Sequence, residues 1–141
     1  MTERPSRDEL LMETAELWAK RSTCIKPNGA VIAREARIIS IGYNGSPPGQ
    51  DHCLDSGCML DDDGRCIRTI HAEANSIAWA ARNGVSTRGS SLYCTTSPCL
   101  VCAKLIITAG ILEVYYREPY SNPQGLELLR ESGVVAYHVP R

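Results

Sequence analysis

The chain has 141 residues, of which 43% are hydrophobic and 22% charged, and its net charge at pH 7 is −1. This length predicts a single domain, residues 1–141, with one core and no room for a fused partner domain. The nearly balanced charge disfavours a polynucleotide ligand, because proteins that hold a nucleic acid by its backbone carry a basic surface.

The N-terminal residues and the cysteines indicate the compartment. The first residues, MTERPSRDELL, lack the charged-then-apolar order of a signal peptide, and no apolar run in the sequence has the length of a membrane span. The seven cysteines are an odd number and cannot all pair within the chain. We therefore expect a cytoplasmic protein without a membrane partner, whose thiols bind metal before they form disulfides.

The first half of the chain predicts a helix, a hairpin and a long loop. The helix covers residues 6 to about 23, with Ser6 or Asp8 as N-cap and an apolar face of Leu10, Leu11, Thr14, Leu17 and Trp18. Strands at 30–33 and 37–42 flank a charged turn, which predicts a hairpin. The stretch from Tyr43 to Thr69 has no periodicity, and a loop of this length in a compact domain is functional or held by other interactions.

The second half alternates helices and strands. Helices are predicted at 71–82, from about 99 to 108 and at 123–131, and strands at 91–94, 112–116 and 134–139. The first of these helices carries apolar residues at Ala74, Ile77, Ala78 and Ala81. A helix between successive strands makes the last three strands parallel. The predicted fold is a three-layer α/β/α domain with a five-stranded mixed sheet.

Two short motifs supply three metal ligands and one free carboxylate. They are His71-Ala72-Glu73 and Pro98-Cys99-Leu100-Val101-Cys102. His71, Cys99 and Cys102 predict a zinc site, and three protein ligands leave a coordination position for water. Glu73 is then free to transfer protons as the catalytic acid and base.

Both motifs lie where helices are predicted to begin. Ser97 is a candidate cap for the second of these helices, and Pro98 suits its first turn. Taken alone, C-x-x-C is also typical of a redox pair or half of a structural zinc site, and H-x-E also occurs on solvent-facing helices. The order of the two motifs, H-x-E and then P-C-x-x-C, is that of the zinc-dependent nucleobase deaminases.

Four further cysteines predict a second metal. Cys24 follows the first helix, and Cys53, Cys58 and Cys66 lie in the long loop. Together they predict a structural zinc, with His52 as an alternative ligand. The other interpretation is that they are unrelated free thiols, or that only two or three of them meet at a metal. Cys94 lies in an apolar strand and is expected to be a buried thiol.

Three segments carry a resemblance to a known family. They are Gly42-Tyr43-Asn44-Gly45-Ser46-Pro47, His71-Ala72-Glu73-Ala74-Asn75, and the run from Ser97 to Lys104 continued by Ile106, Ile107 and residues 109–111. In these segments the chain resembles the deoxycytidylate (dCMP) deaminases of the cytidine/deoxycytidylate deaminase superfamily, over about residues 22–137. The resemblance implies a zinc-dependent enzyme that converts dCMP to dUMP and releases ammonia.

The resemblance also implies substrate contacts. It places Asn44, Asn75 and Ala72 at the nucleotide, with Asn44 bonded to the sugar. For the phosphate, the candidates near the end of the first helix are Arg21, Ser22 and Lys26. Asn28 stands where family members commonly have an apolar residue, so the preferred substrate could instead be dCTP, a base-modified dCMP or another nucleotide.

Assembly and control are further implications. Members of the family are typically homohexamers, and many are activated by dCTP and inhibited by dTTP. Trp79 and Arg82 match a family segment that is linked to subunit contact. The alternatives are a related deaminase that acts on a purine or a riboflavin precursor, and a non-catalytic zinc-stabilised binding module. Replacement of Glu73 separates the module from the enzyme.

Overall fold

The structure, a computed structural model, describes residues 3–141, and these residues form one five-stranded sheet. The strands are β1 (Gly29–Arg34), β2 (Arg37–Tyr43), β3 (Ser91–Thr96), β4 (Glu113–Glu118) and β5 (Val135–His138). Their order in the sheet is β2-β1-β3-β4-β5. β1 runs antiparallel to β2 and β3, whereas β3, β4 and β5 are parallel. The predicted mixed sheet and the parallel direction of its last three strands are confirmed.

The predicted hairpin forms through a two-residue turn. Glu35 and Ala36 both have positive φ, 53° and 59°. Two successive positive φ values are typical of the type I′ turn, whose twist matches that of the strands on either side. The turn therefore sets the register in which Arg34 is paired with Arg37.

The described residues form five helices, and four of them cover the two faces of the sheet. The helices are α1 (Arg7–Ala19), α2 (Cys53–Ser56), α3 (Ala72–Arg82), α4 (Leu100–Thr108) and α5 (Gln124–Glu131). α1 packs on one face, and α3, α4 and α5 contribute to the core on the other. This arrangement is the predicted α/β/α fold. The short α2, in the long loop, was not predicted from the sequence. Within residues 3–141, no helix is both long and apolar enough to cross a membrane.

The buried face of α1 differs from the prediction. Ser6 caps the helix as expected, since its Oγ accepts a hydrogen bond from the Glu9 amide. The residues that face the sheet are Leu11, Met12 and Ala15, whereas Leu10, Leu17 and Trp18 are exposed. β1 approaches this face so closely at Gly29 that a Cβ there would lie 1.9 Å from the Ala15 carbonyl oxygen. Only a small residue fits at that contact. The predicted apolar face was therefore right for Leu11 and wrong for Leu10, Leu17 and Trp18.

The predicted extent of α1, to about residue 23, was also wrong. The helix ends at Ala19, and the amides of residues 20–22 donate to the carbonyls three positions earlier, at 3.0–3.2 Å. These i→i−3 bonds tighten the last turn and end the α-helix. The chain then turns toward Cys24, which forms a cluster with Cys53, Cys58 and Cys66.

Helix α3 rests on the sheet through small residues. Ala72, Ser76 and Ala80 are buried. A Cβ at Gly42 of β2 would lie 2.4 Å from the Ala72 carbonyl oxygen. This close contact explains why small residues face the sheet. Of the predicted apolar face, Ile77 packs against the core, whereas Ala78 and Ala81 are exposed. The contact at Gly42 also fixes the start of α3, where the functional residues lie.

Candidate metal centres and active-site cavity

Three ligands from two helix N-termini meet at one point. His71 is the N-cap residue of α3 and Cys99 is that of α4, with Cys102 in the first turn of α4. Nδ1 of His71 lies 3.4 Å from Cys99 Sγ and 3.3 Å from Cys102 Sγ. A tetrahedral zinc with ordinary bond lengths separates its nitrogen and sulfur ligands by about 3.5 Å. The types of atom and their spacing therefore fit one zinc ion held by three protein ligands.

The charges of the thiols suit a metal. Hydrogen bonds from the Cys102 thiol and from His71 lower the pKa of Cys99 to about 3. The same Cys99 hydrogen bond, together with burial, raises the pKa of Cys102. The separate hydrogen bond between His71 and Cys99 raises the pKa of His71. Cys99 is thus the thiolate, and Cys102 and His71 carry protons that hydrogen-bond to it. A divalent metal would displace those protons when it binds.

Glu73 lies beside these ligands without belonging to them. It is the second residue of α3, 6% exposed, and its side chain lines the cavity above the ligand cluster. Burial raises its pKa, although the positive charge of His71 opposes the shift. A carboxyl group whose pKa is shifted toward neutrality can both accept and donate a proton at working pH.

Ser97 forms a hydrogen bond that connects the loop after β4 to this site. Its Oγ accepts a hydrogen bond from the Tyr120 amide at 2.7 Å. The prediction that Ser97 caps α4 was wrong, because the N-cap residue is Cys99 and makes no side-chain capping bond. The hydroxyl instead holds the loop after β4 against the metal-binding segment, which brings Tyr120 to the cavity.

The other four cysteines form a second cluster. Cys24 Sγ lies 3.8 Å from Cys58 Sγ, and Cys53 Sγ lies 3.6 Å from Cys66 Sγ. A disulfide requires about 2.05 Å, whereas sulfur ligands of a tetrahedral zinc are about 3.8 Å apart. The four ligand atoms all lie within 4.8 Å of one another. The cluster fits a zinc ion closed by four thiolates, as structural zinc sites are.

Backbone amides support a thiolate in this second cluster. Burial opposes ionisation of Cys66, but hydrogen bonds from the amides of Arg68 and Met59 lower its pKa to about 6. Burial raises the pKa of Cys53 to about 12. A metal that binds all four sulfurs would remove this difference by replacing the protons. His52, the alternative ligand, is not among the clustered groups.

A cavity of about 250 Å³ opens above the three-ligand site. Its wall includes His71, Glu73 and Cys99 from the site, and Cys24 and Cys66 from the four-cysteine cluster. Of the substrate contacts predicted from the sequence, Lys26, Asn28, Asn44 and Ala72 also line it. The two clusters therefore share one cavity, and the segments held by the second cluster form part of its wall.

Asn28 and Asn44 hold each other in place. Asn44 Oδ1 accepts from the Asn28 amide at 2.7 Å, and Asn44 Nδ2 donates to the Lys26 carbonyl at 2.9 Å. Asn28 Oδ1 accepts from the hydroxyls of Thr95 and Thr96. The unusual amide at position 28 is thus paired with threonines of β3. This network fixes the cavity wall, and substrate contact by either amide stays a prediction.

Three of the predicted contacts are not brought to the cavity. Arg21 and Ser22 lie in the turn after α1, and Ser22 Oγ donates to the Asn44 carbonyl. Asn75 lies further along α3, with its Oδ1 directed toward Gly42 of β2. The early end of α1 and the close packing of α3 on β2 account for these positions.

The sequence did not indicate several residues of the cavity wall. They are Asp63, Arg65, Thr69, Thr96, Tyr120 and Ser121. Arg65 lies over the ring of Tyr120, 5.3 Å from its centroid. The two residues are far apart in sequence, and the Asp-Gly turn before Arg65 was the only local signal for an ordered structure there.

A metal site with three protein ligands and a free buried carboxylate, on this α/β/α fold, is typical of zinc-dependent hydrolases. Comparison with known proteins gives the family. Residues 5–118 match the profile of the cytidine and deoxycytidylate deaminase zinc-binding region. The chain belongs to this zinc-binding deaminase family.

Individual relatives agree with this assignment. The chain is 46% identical over 139 residues to ComE operon protein 2 of Bacillus subtilis, covering 97% of this chain and 73% of that protein. It is 40% identical over 138 residues to deoxycytidylate deaminase of Saccharomyces cerevisiae, covering 93% of this chain but 44% of that protein. The crystal structure of dCMP deaminase from cyanophage S-TIM5 in complex with dCMP and dUMP superposes with a TM-score of 0.87. That comparison has 35% identity and covers 98% of this chain and all of the phage chain.

Proposed function

We propose that this chain hydrolyses dCMP to dUMP and ammonia. The observation that carries the proposal is Glu73, buried in the cavity beside three metal ligands but not one of them. The deoxycytidylate deaminases among its relatives, and the phage enzyme crystallised with dCMP and dUMP, support this substrate.

The residues of the site account for the proton transfers. His71, Cys99 and Cys102 would hold zinc, which when bound lowers the pKa of a water molecule at its open position. Glu73 takes the proton of the attacking water and passes it to the ring nitrogen, which makes C4 of cytosine electrophilic. It then takes the remaining proton of the oxygen that has added to C4 and delivers it to the amino group. The C4–N bond breaks, the oxygen stays as the carbonyl of dUMP, and ammonia leaves.

The decisive experiment compares wild type with Glu73→Gln. We expect ammonia release from dCMP by the wild type, and a decrease of roughly 10²- to 10⁴-fold in Glu73→Gln, because the amide cannot transfer the proton. Zinc content is measured in the same preparations and should be unchanged. Turnover that survives in Glu73→Gln would contradict the mechanism and favour a non-catalytic zinc module.

A substrate panel tests the nucleotide. It contains CMP, dCMP, dCTP, deoxycytidine, 5-substituted dCMP and purine nucleotides. The highest kcat/KM is expected for dCMP. A clear preference for another member would replace dCMP by that nucleotide and leave the reaction type in place.

We further propose that the four-cysteine cluster binds a structural zinc, and that Lys26, Asn28, Asn44 and Ala72 form the substrate wall. The support is the spacing of the four sulfurs and the position of these residues around the cavity. All seven cysteines are free thiols, which suits a reducing compartment such as the cytoplasm. Zinc analysis should give two metal ions per chain.

The proposal includes a homohexamer controlled by dCTP and dTTP. Leu17 and Trp18 on α1 and Trp79 on α3 are large apolar side chains that are exposed on the single chain, as expected of residues covered in an assembly. Light scattering measures the mass of the particle. Saturation curves for dCMP, with and without dCTP, test the control, and hyperbolic curves that do not respond to dCTP would remove it.

A further inference from the structure

The cavity wall carries two cationic side chains besides the metal-binding histidine. They are Lys26 and Arg65. Within residues 3–141, the ion pairs are made by Arg117 and Arg141, so neither cavity cation is neutralised by a carboxylate at contact distance. Asp63 also lines the cavity and adds a negative charge. Because the wall carries charges of both signs, an anionic group bound here needs direct contact with one of the two cationic side chains.

The backbone at Arg65 is rigidly held. The Asp61 amide donates to the Arg65 carbonyl at 2.8 Å, and the Arg65 amide donates to Asp61 Oδ1 at 2.9 Å. Two residues further from the turn on each side, the Ile67 amide donates to the Met59 carbonyl at 2.7 Å. These bonds form a small hairpin over residues 59–67, and the adjoining Cys66 belongs to the four-cysteine cluster. The hairpin is thus fixed at its base next to the cavity.

The side chain of Arg65 is held as well. Its guanidinium lies over the Tyr120 ring, 5.3 Å from the centroid, which is within the range of a cation–π contact. The Tyr120 amide is bonded to Ser97, two residues before the metal ligand Cys99. Arg65 therefore spans from the hairpin to the loop beside the metal ligands, with its donors available to the cavity.

We propose that Arg65 binds the 5′-phosphate of the substrate and makes the site selective for a nucleotide over a nucleoside. This inference rests on the proposed deamination of dCMP. A guanidinium presents two parallel N–H donors that match two phosphate oxygens, which an ammonium group cannot do. The contact with Tyr120 holds the side chain near its bound position and lowers the entropic cost of ordering it. Lys26, a flexible point charge on the same wall, supplements this contact.

The test compares Arg65→Met and Arg65→Lys with Arg88→Met, which removes an exposed arginine outside the cavity. Two quantities are measured: kcat/KM for dCMP, and the calorimetric affinities for dCMP and deoxycytidine in a Glu73→Gln background, which slows turnover by roughly 10²- to 10⁴-fold. In Arg65→Met, both kcat/KM and affinity for dCMP should fall by roughly 10- to 100-fold, the loss expected for one charge-assisted phosphate contact. The affinity for deoxycytidine should stay the same. Arg65→Lys should restore part of the loss, and Arg88→Met should behave as wild type.

The outcomes separate this inference from the proposed function. Equal losses for dCMP and deoxycytidine, or no loss for either, would overturn the role of Arg65 while leaving the deaminase in place. A selective loss in Lys26→Met but not in Arg65→Met would overturn it in favour of the lysine. If the wild type neither binds nor converts dCMP, the proposed function fails first and this inference with it. Zinc content is measured for every variant, because Arg65 adjoins Cys66 and a lost metal would reveal a misfolded wall.

Discussion

The contact between α5 and the metal-binding segment offers a sensitive test of the structure. Gly125 is buried near the start of α5. A Cβ at this position would lie 2.1 Å from the Pro98 carbonyl oxygen, 2.8 Å from the Cys99 carbonyl carbon and 2.9 Å from its oxygen. These neighbours are backbone atoms and cannot rotate away. Gly125→Ala must therefore move α5 or the segment that carries the ligand Cys99.

The size of the effect follows from these distances. Widening the shortest contact from 2.1 Å to at least 3.0 Å requires a movement of about 0.9 Å. A metal site tolerates changes of only about 0.2 Å in its metal–ligand distances. A displacement of about 1 Å of a catalytic group can reduce the rate of catalysis by about 100-fold. Overpacking of this kind costs about 1–3 kcal/mol of unfolding free energy. That loss exceeds the gain of about 0.4–1 kcal/mol that Gly→Ala gives in an unconstrained helix, so the sign of the change is diagnostic.

Three measurements follow for Gly125→Ala and for a control, Gln124→Ala, which changes the exposed neighbour on the same helix. They are zinc content, kcat/KM for dCMP and the free energy of unfolding in urea. The expected result is a less stable protein with weaker metal binding and roughly 100-fold lower kcat/KM, while the control remains near wild type. A Gly125→Ala protein that is more stable and keeps its zinc and activity would refute the close contact between α5 and Pro98.

The other predictions concern the second metal and the ion pairs of Arg117. Cys58→Ser should reduce the zinc content from two ions per chain to one. It should also lower the affinity for dCMP, because the four-cysteine cluster holds part of the cavity wall. The control Cys94→Ala changes a buried cysteine outside both clusters and should keep two zinc ions per chain. Arg117 is 3% exposed and pairs with Glu9 at 3.0 Å and Glu16 at 2.6 Å. Arg117→Met should therefore lower the free energy of unfolding by about 2 kcal/mol, less than for a fully buried pair because both carboxylates are partly exposed. Hydrogen bonding to Arg117 lowers the pKa of Glu9 below 4.5. The stability from this pair is complete above pH 4.5 and disappears as the pH falls through the folded-state pKa of Glu9. The difference in unfolding free energy between wild type and Arg117→Met should therefore become smaller at low pH.

Much of the metal site could be predicted because its residues are close in sequence. Cys99 and Cys102 are separated by one helical turn, and His71 and Glu73 by a single residue at a helix start. Such spacings bring side chains to the same end of a helix whatever surrounds them. Local signals also predicted the hairpin, and the helix between each pair of later strands predicted their parallel order.

The faces of the helices could not be predicted in the same way. On α1, the apolar residues Leu10, Leu17 and Trp18 are exposed, whereas the small Ala15 is buried. The reason is the close approach of β1 at Gly29, a contact between segments that apolar periodicity does not reveal. The small buried residues of α3 have the same explanation, with Gly42 in place of Gly29.

The sequence by itself determined the chemistry available to this protein: two sets of side chains of the types that can hold zinc, a carboxylate outside both sets, and an alternation of helices and strands that predicts the layers. Only the tertiary structure decided which distant groups share a cavity. It brought Cys24 to Cys58, Asn28 to Thr95 and Thr96, and Arg65 to the ring of Tyr120. Spacing along one helix is set by backbone geometry, whereas contacts between remote segments depend on how closely the elements pack.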